Sequence, residues 1–390
     1  MSTLQNAQAI QETIQRALAS AGLDTTAGPM REAMDTIQRA LGTSRPAADA
    51  HATDAPAKRA PDAANGQVVD IVARVVDTPQ LGSFETLEFR NHAGSRAYKL
   101  YVPANLQVGT QSAPRPMVVM LHGCTQTPDD FAAGTQMNRL ADEHGFLVVY
   151  PEQPQQANPS KCWNWFRPQD QMSNAGEPAV IAGIAQEVVA RHGADPRRVF
   201  IAGLSAGAAM AVVLGETYPG LFAGIGVHSG LPYGSANDIP SAMAAMKGGR
   251  SGRSGLQVGL SGGRQVPGTS AKARRKAAQV VPTIVFHGDR DHTVQHSNAD
   301  AIVQQAQNAH RARTAGAALN ASTQTGTAAG GHRYSRTVYA NAQGQVHIEF
   351  WTVHGAGHAW QGGHASGTYT DVRGPDASAE MLRFFMALPA

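Results

Sequence analysis

Residues 198–210 read Arg198-Val199-Phe200-Ile201-Ala202-Gly203-Leu204-Ser205-Ala206-Gly207-Ala208-Ala209-Met210: an apolar run, Gly-x-Ser-x-Gly, then small residues. A serine on a sharp strand-to-helix turn has its hydroxyl pushed clear of the backbone, and flanking glycines leave no Cβ to clash with the neighbouring strand and helix. In a chain with 41 glycines the pentapeptide alone is weak, and the strand before it and helix after it give it weight. A serine hydroxyl is a poor nucleophile until a base takes its proton and a third group orients that base. Two later stretches offer those groups. Val285 to Val294 follows an apolar strand and contains Asp289 and Asp291; Phe350 to Trp360 follows the last strand and contains His354 and His358. A developing oxyanion would need amide donors. The residue after the serine, Ala206, supplies one, and the turn Leu121-His122-Gly123-Cys124-Thr125-Gln126 supplies the second at Cys124.

The elements that must position these groups are legible as strands alternating with helices. Ser83 to Phe89 and Arg96 to Val102 alternate around Asn91-His92-Ala93-Gly94 and predict a hairpin. Pro116 to Leu121 and Phe146 to Tyr150 are continuous apolar runs of the kind covered on both faces. Further strands are expected at 198–202, 221–227, 283–286 and 346–353, with helices at 132–144, 179–192 and 376–388. The class is α/β with a mostly parallel sheet. The order Ser, Asp, His along the chain is that of the α/β-hydrolases.

Composition bounds the rest. At 390 residues, 42% hydrophobic and 16% charged, the chain can bury a large core, and a net charge of +3 is too mild to imply a nucleic-acid partner. No apolar run approaches the ~18 residues that span a bilayer, so no transmembrane segment is expected. The start Met1-Ser2-Thr3-Leu4-Gln5-Asn6 lacks the basic and apolar regions of a secretory signal. Residues 1–42 show helical spacing, with Ile-Gln-Arg-Ala-Leu at 14–18 and again at 37–41; residues 43–66 read as an Ala/Pro/Asp linker, and 67–390 as the catalytic domain. The stretch 247–276 is basic and Gly/Ser-rich, either a solvated insertion or a flap beside the site, and 311–334 reads as a Thr/Ala/Gly-rich loop. The two cysteines, Cys124 and Cys162, are either one bridge pinning two loops or two reduced thiols.

His122-Gly123-Cys124-Thr125-Gln126, Tyr150-Pro151-Glu152-Gln153, Cys162-Trp163-Asn164-Trp165-Phe166, Gly203-Leu204-Ser205-Ala206-Gly207, His287-Gly288-Asp289-Arg290-Asp291-His292-Thr293-Val294 and Gly357-His358-Ala359-Trp360 occur in that order. Together they resemble the poly(3-hydroxybutyrate) depolymerase family of esterases, related to feruloyl and acetylxylan esterases. The resemblance covers roughly residues 80 to 388 and implies an α/β-hydrolase fold. It implies a triad of Ser205, Asp291 and His358, leaving Asp289 as a turn acid and His354 as structural. Trp163, Trp165 and Trp360 are expected near the nucleophile as a substrate-binding wall, core packing being the alternative. No metal or organic cofactor is implied. The expected substrate is a poly- or oligo(3-hydroxyalkanoate) ester, with feruloyl or acetylated-xylan esters as the alternative. A granule-binding module contacting polymer through the N-terminal helices is a reading of another class. Family members are often extracellular, whereas the missing signal leans toward the cytoplasm.

Overall fold

A computed structural model describes residues 82–104, 114–249 and 280–389. The expectations for 1–42, for the linker 43–66 and for most of the basic stretch 247–276 lie outside the described residues. Ten strands form one sheet: β1 (Ser83–Asn91), β2 (Gly94–Val102), β3 (Arg115–Leu121), β4 (Leu147–Pro151), β5 (Ala194–Leu204), β6 (Gly224–His228), β7 (Thr283–Gly288), β8 (Asn320–Thr327), β9 (Arg333–Ala340) and β10 (Val346–Val353). Their spatial order is β1-β2-β4-β3-β5-β6-β7-β10-β9-β8. The six central strands, from β4 across to β10, run parallel, and an antiparallel pair closes each side. A parallel set aligns all its C-terminal strand ends on one edge, which is where α/β sheets place their ligand sites.

Both faces of the sheet are covered. On one, Met117, Val119 and Leu121 pack against α3 (Gly176–His192) and α4 (Ala206–Thr217), together with Ile302 and Val303 of α6 (Ser297–Arg313). On the other, Val118 and Met120 meet α1 (Pro128–Thr135), α2 (Met137–His144) and α7 (Ala377–Met386). The alternation of Met117 to Leu121 between the two clusters is the period-2 geometry of a strand buried on both sides. Among the described residues no helix is long and apolar enough to cross a membrane.

Three departures from the sequence reading have physical causes. The helix expected over 132–144 is two helices, because Gln136 takes a left-handed φ of 55° and ends α1 while starting α2. The stretch 311–334 holds β8 and the start of β9 in place of a loop. β8 is an edge strand without a single large apolar side chain, so it carries no alternation to read; it is defined by its register with β9 and by a 2.9 Å hydroxyl contact between Thr323 and Thr337. The helices α6 and α5 (Ile239–Met246) were not expected; α5 is announced by the capping box of Asp238 and Ser241.

A buried polar knot fixes the loop after β4. Glu177, at the start of α3, accepts from the Asn164 amide (2.7 Å), Asn164 Nδ2 (2.7 Å), Gln153 Nε2 (2.6 Å) and Arg96 Nη2 (3.3 Å). Asp170 Oδ1 in turn accepts from the Glu177 amide at 2.7 Å. Burial, reinforced by the charge of Glu177, pushes the Asp170 carboxyl up from 3.8 to about 6. The folded chain therefore holds this proton more tightly than the unfolded one, and the group weakens the fold progressively as pH rises from about 4 to about 6. Asp170→Asn keeps an acceptor for the Glu177 amide and removes the charge. Relative to the parent it should gain about 1–3 kcal/mol between about pH 4 and about pH 7, read by urea unfolding at both. An equal difference at the two pH values would contradict the assignment.

Candidate active site

Ser205 joins β5 to α4 with φ 57° and ψ −118°, a region costly to any residue with a Cβ, on the order of 1–3 kcal/mol. The conformation is held by the Ser205 amide donating to His228 O at 2.9 Å and by Ser205 O accepting from Ala209 N at 2.9 Å. The flanking glycines are steric necessities. A Cβ on Gly203 would lie 2.5 Å from Gly207 C, and one on Gly207 would lie 2.2 Å from Leu121 O and 2.6 Å from His122 O. Ala206 opens the helix, so its amide is one of the first-turn donors that no helical carbonyl can satisfy.

Asp291 follows β7 and His358 follows β10, two strands that are hydrogen-bonded neighbours. Their side chains meet: His358 Nδ1 lies 2.6 Å from Asp291 Oδ2. Asp291 is fully buried, and its other oxygen accepts the amides of Thr293 (2.9 Å) and Val294 (2.8 Å). His287 Nε2 stands 3.4 Å from Oδ2. Burial by itself would raise this carboxyl, but hydrogen bonds from His287 and His358, the attraction of His358 and the Val294 amide outweigh it and hold the pKa well below the usual range. An ionised carboxylate can only accept, so Nδ1 is the nitrogen of His358 that donates, and in the neutral tautomer this selects, the lone pair is on Nε2. Ser205 belongs to the same strand-end edge. His228 O takes its amide, and the ring of His228 stacks on Trp360, two residues past His358, at 5.1 Å.

The turn after β3 is pinned from several sides. Gly123 N donates to Gln126 Oε1 at 2.9 Å, Thr125 N to Ser160 O at 2.7 Å, and Gln126 Nε2 to Asp130 Oδ2 at 2.8 Å. Cys124 is joined to Cys162 by a disulfide, which ties the turn to the loop after β4. The Cys124 amide donates to no acceptor among the described residues. His122 accepts the Gln153 amide at Nε2 (3.1 Å) and approaches Gly123 O through Nδ1 (2.7 Å), and burial lowers its pKa to about 4. His228 is likewise held neutral by burial.

The three tryptophans expected as a substrate wall are buried. Trp163 donates through Nε1 to His122 O at 3.1 Å, Trp360 donates to Ser378 Oγ at 3.0 Å, and Trp165 packs edge-on to Phe166. Trp163 and Trp165 belong to the core cluster on one face of the sheet and Trp360 to the cluster on the other. Large side chains bury first, and a tryptophan in a motif next to the site is no exception. The exposed aromatic at the rim is Tyr369, 47% exposed, which no motif pointed to.

Asp289 and His354 form a second acid–imidazole pair. His354 Nδ1 lies 2.9 Å from Asp289 Oδ2, Asp289 Oδ1 accepts the Gly355 amide at 2.7 Å, and Ser335 Oγ lies 2.8 Å from His354 Nε2. Ser335 sits in mid-strand, paired to Thr325 and Thr352, with no turn to expose it. This line of three is a clasp between the ends of β7, β9 and β10. Among the described residues no group of three or more His, Cys, Asp or Glu side chains is placed to hold a metal ion.

This fold and site define the α/β-hydrolase class. An acetyl xylan esterase from Aspergillus awamori shares the fold, with TM-score 0.53 at 22% identity over 71% of this chain and 94% of that one. Residues 96–326, more than half the chain, match the family model of esterase PHB depolymerase, and the protein belongs to that family. It is 33% identical over 261 residues to poly(3-hydroxyalkanoate) depolymerase C of Paucimonas lemoignei, covering 66% of this chain and 59% of that protein. It is 34% identical over 170 residues to acetylxylan esterase A of Aspergillus oryzae, covering 42% and 52%. The match thus spans less than two thirds of either relative's own length.

Two outcomes follow from the bonds at the loops. Replacing both cysteines by serine removes a link across a separation of 38 residues, and should cost about 2–4 kcal/mol in chemical unfolding. Asp289→Ala should cost about 1 kcal/mol, because the clasp is partly exposed, and should speed hydrogen exchange at Gly355 while Val294, bonded to Asp291, stays protected. Unchanged exchange at Gly355 would count against the clasp.

Proposed function

We propose that the chain is a serine carboxylic-ester hydrolase acting on poly- or oligo(3-hydroxyalkanoate) esters through an acyl-enzyme, with residues 67–390 as its catalytic domain. The observation that carries this reading is the 2.6 Å bond from His358 Nδ1 to a buried Asp291, which leaves Nε2 basic on the strand edge that also exposes the strained Ser205. Ser205 Oγ attacks the ester carbonyl while His358 Nε2 takes its proton. The carbonyl oxygen becomes an oxyanion facing the amides of Ala206 and Cys124. The C–O bond then breaks, and the departing alkoxide takes the proton from His358. Water repeats the sequence on the acyl-enzyme, with His358 again as base, and frees the acid and Ser205. Asp291 stays ionised throughout and stabilises the imidazolium.

Membership of the depolymerase family and the likeness to the Paucimonas enzyme support a hydroxyalkanoate as the acyl and alcohol parts. The likeness to acetylxylan esterase A supports a second reading within the same chemistry, an acetyl or feruloyl esterase of plant polysaccharide. A panel of hydroxybutyrate oligomers, amorphous polymer, feruloyl esters and acetylated xylan separates the two by kcat/KM. Ser205→Ala should lower kcat on p-nitrophenyl butyrate by about 10⁴-fold or more while leaving the unfolding midpoint near that of the parent. Turnover retained in that variant would overturn the assignment.

A further inference from the structure

The geometry points to Tyr369 as a substrate-positioning residue, its ring forming the contact for the aliphatic ester unit next to the scissile bond. This rests on the esterase reading above. Tyr369 lies in the loop between β11 (Trp360–Gln361) and β12 (Thr370–Asp371). Its carbonyl accepts the Trp360 amide at 2.7 Å, which ties it to the segment carrying His358. Its hydroxyl lies 3.3 Å from Thr125 Oγ1, which donates to Cys124 O at 2.6 Å. The phenol therefore spans from the histidine segment to the turn that offers the Cys124 amide.

Both ends of this span are strained. Tyr369 has φ 53° and Thr125 has φ 67°, left-handed conformations that cost a side-chain-bearing residue on the order of 1–2 kcal/mol. They persist because the surrounding structure fixes them. Asp130 accepts both the amide (2.9 Å) and the hydroxyl (2.6 Å) of Thr368, Gln126 Nε2 donates to Thr368 O at 3.1 Å, and Ser160 O holds the Thr125 amide. That rigid framing would be expected to bury a large aromatic, yet Tyr369 remains 47% exposed. Strain maintained to keep an aromatic ring in solvent is what a ligand contact requires.

The chemistry of the rim selects the ligand. The hydroxyls of Thr125 and Thr368 are engaged internally, and the phenol hydroxyl faces Thr125. What the phenol side chain leaves for a ligand is the ring face. The methyl and methylene groups of a hydroxyalkanoate unit need only an apolar face, and the acetylated xylo-oligosaccharide arm of the test below separates them from a sugar ring stacked on the same face.

Tyr369→Gly tests this without a folding penalty, because glycine favours the φ that tyrosine endures. Tyr369→Phe keeps the ring, and Val372→Ala, an exposed position just past β12 and outside the proposed contact, serves as a control. For Tyr369→Gly, kcat/KM on a linear hydroxybutyrate trimer should fall about tenfold further than on p-nitrophenyl acetate, the loss appearing in KM. Tyr369→Phe should restore most of the ratio, and Val372→Ala should leave it at the parental value. Calorimetric binding of the trimer to Ser205→Ala, with and without Tyr369→Gly, reads the contact without turnover and should show about a tenfold weaker Kd in the double variant. Equal Kd values, or a larger loss on acetylated xylo-oligosaccharide than on the trimer, would overturn the role of Tyr369. A parent chain that hydrolyses no ester would instead overturn the esterase reading.

Discussion

The arrangement at the strand ends depends on how closely the first turn of α4 can approach the end of β3. Leu121 O and His122 O lie where a side chain on Gly207 would begin, and Gly203 stands against the backbone of Gly207 itself. Backbone meets backbone there, with no side chain to act as spacer. The approach sets the Ala206 amide beside the turn that carries Cys124, and it forces Ser205 into its positive φ. A conformation that costs on the order of 1–3 kcal/mol locally is maintained because helix, strand and the His228 carbonyl all fix it at once.

Around this contact the chain uses histidine in two electrostatic states. His122 and His228 are buried, and burial disfavours their charged forms. A neutral imidazole offers one donor and one acceptor, so each acts as a short strut. His122 takes the Gln153 amide at the end of β4, and His228 takes the Gln361 amide at 3.0 Å just past His358. Both have an acceptor nitrogen committed to a backbone N–H and are poor candidates for proton transfer. His358 differs in having Nδ1 committed to a carboxylate and no hydrogen bond at Nε2 among the described residues.

The parallel centre of the sheet was legible because its strands are continuous apolar runs, and the sharp turn at Ser205 because the glycines on either side are needed there for steric reasons. The chain order of Ser205, Asp291 and His358 carried the fold class for the same reason: each group must follow a strand. What was not legible has a common cause. β8 carries small polar residues exposed on both faces, so its pairing is written in backbone hydrogen bonds that leave no side-chain pattern. The break at Gln136 is a backbone event at a residue without a breaker's signature. The burial of Trp163, Trp165 and Trp360 could not be read from their types, because aromatic content alone is equally compatible with wall and core. Tyr369 is the converse, an unremarked residue in a Thr/Gly-rich loop, next to Thr368, which Asp130 and Gln126 hold from more than two hundred positions away.

The two acid–imidazole pairs show why residue type and spacing could not by themselves separate Asp289 from Asp291, or His354 from His358. Each pair joins the end of β7 to the end of β10, and each places Nδ1 on a carboxylate oxygen. Their surroundings set them apart. The Asp291 side chain is 0% exposed and the Asp289 side chain 35%, so the field of the first acts through a low-dielectric medium and that of the second is screened by water. The far nitrogen of His354 is occupied by the Ser335 hydroxyl, in a strand whose geometry offers no attack trajectory. One pair thus concentrates its electrostatic effect on a single basic nitrogen, while the other spends its hydrogen bonds on holding two loops together. The difference lies in burial, a property of the whole fold, and it leaves the outer pair to keep the loops of the inner pair in register.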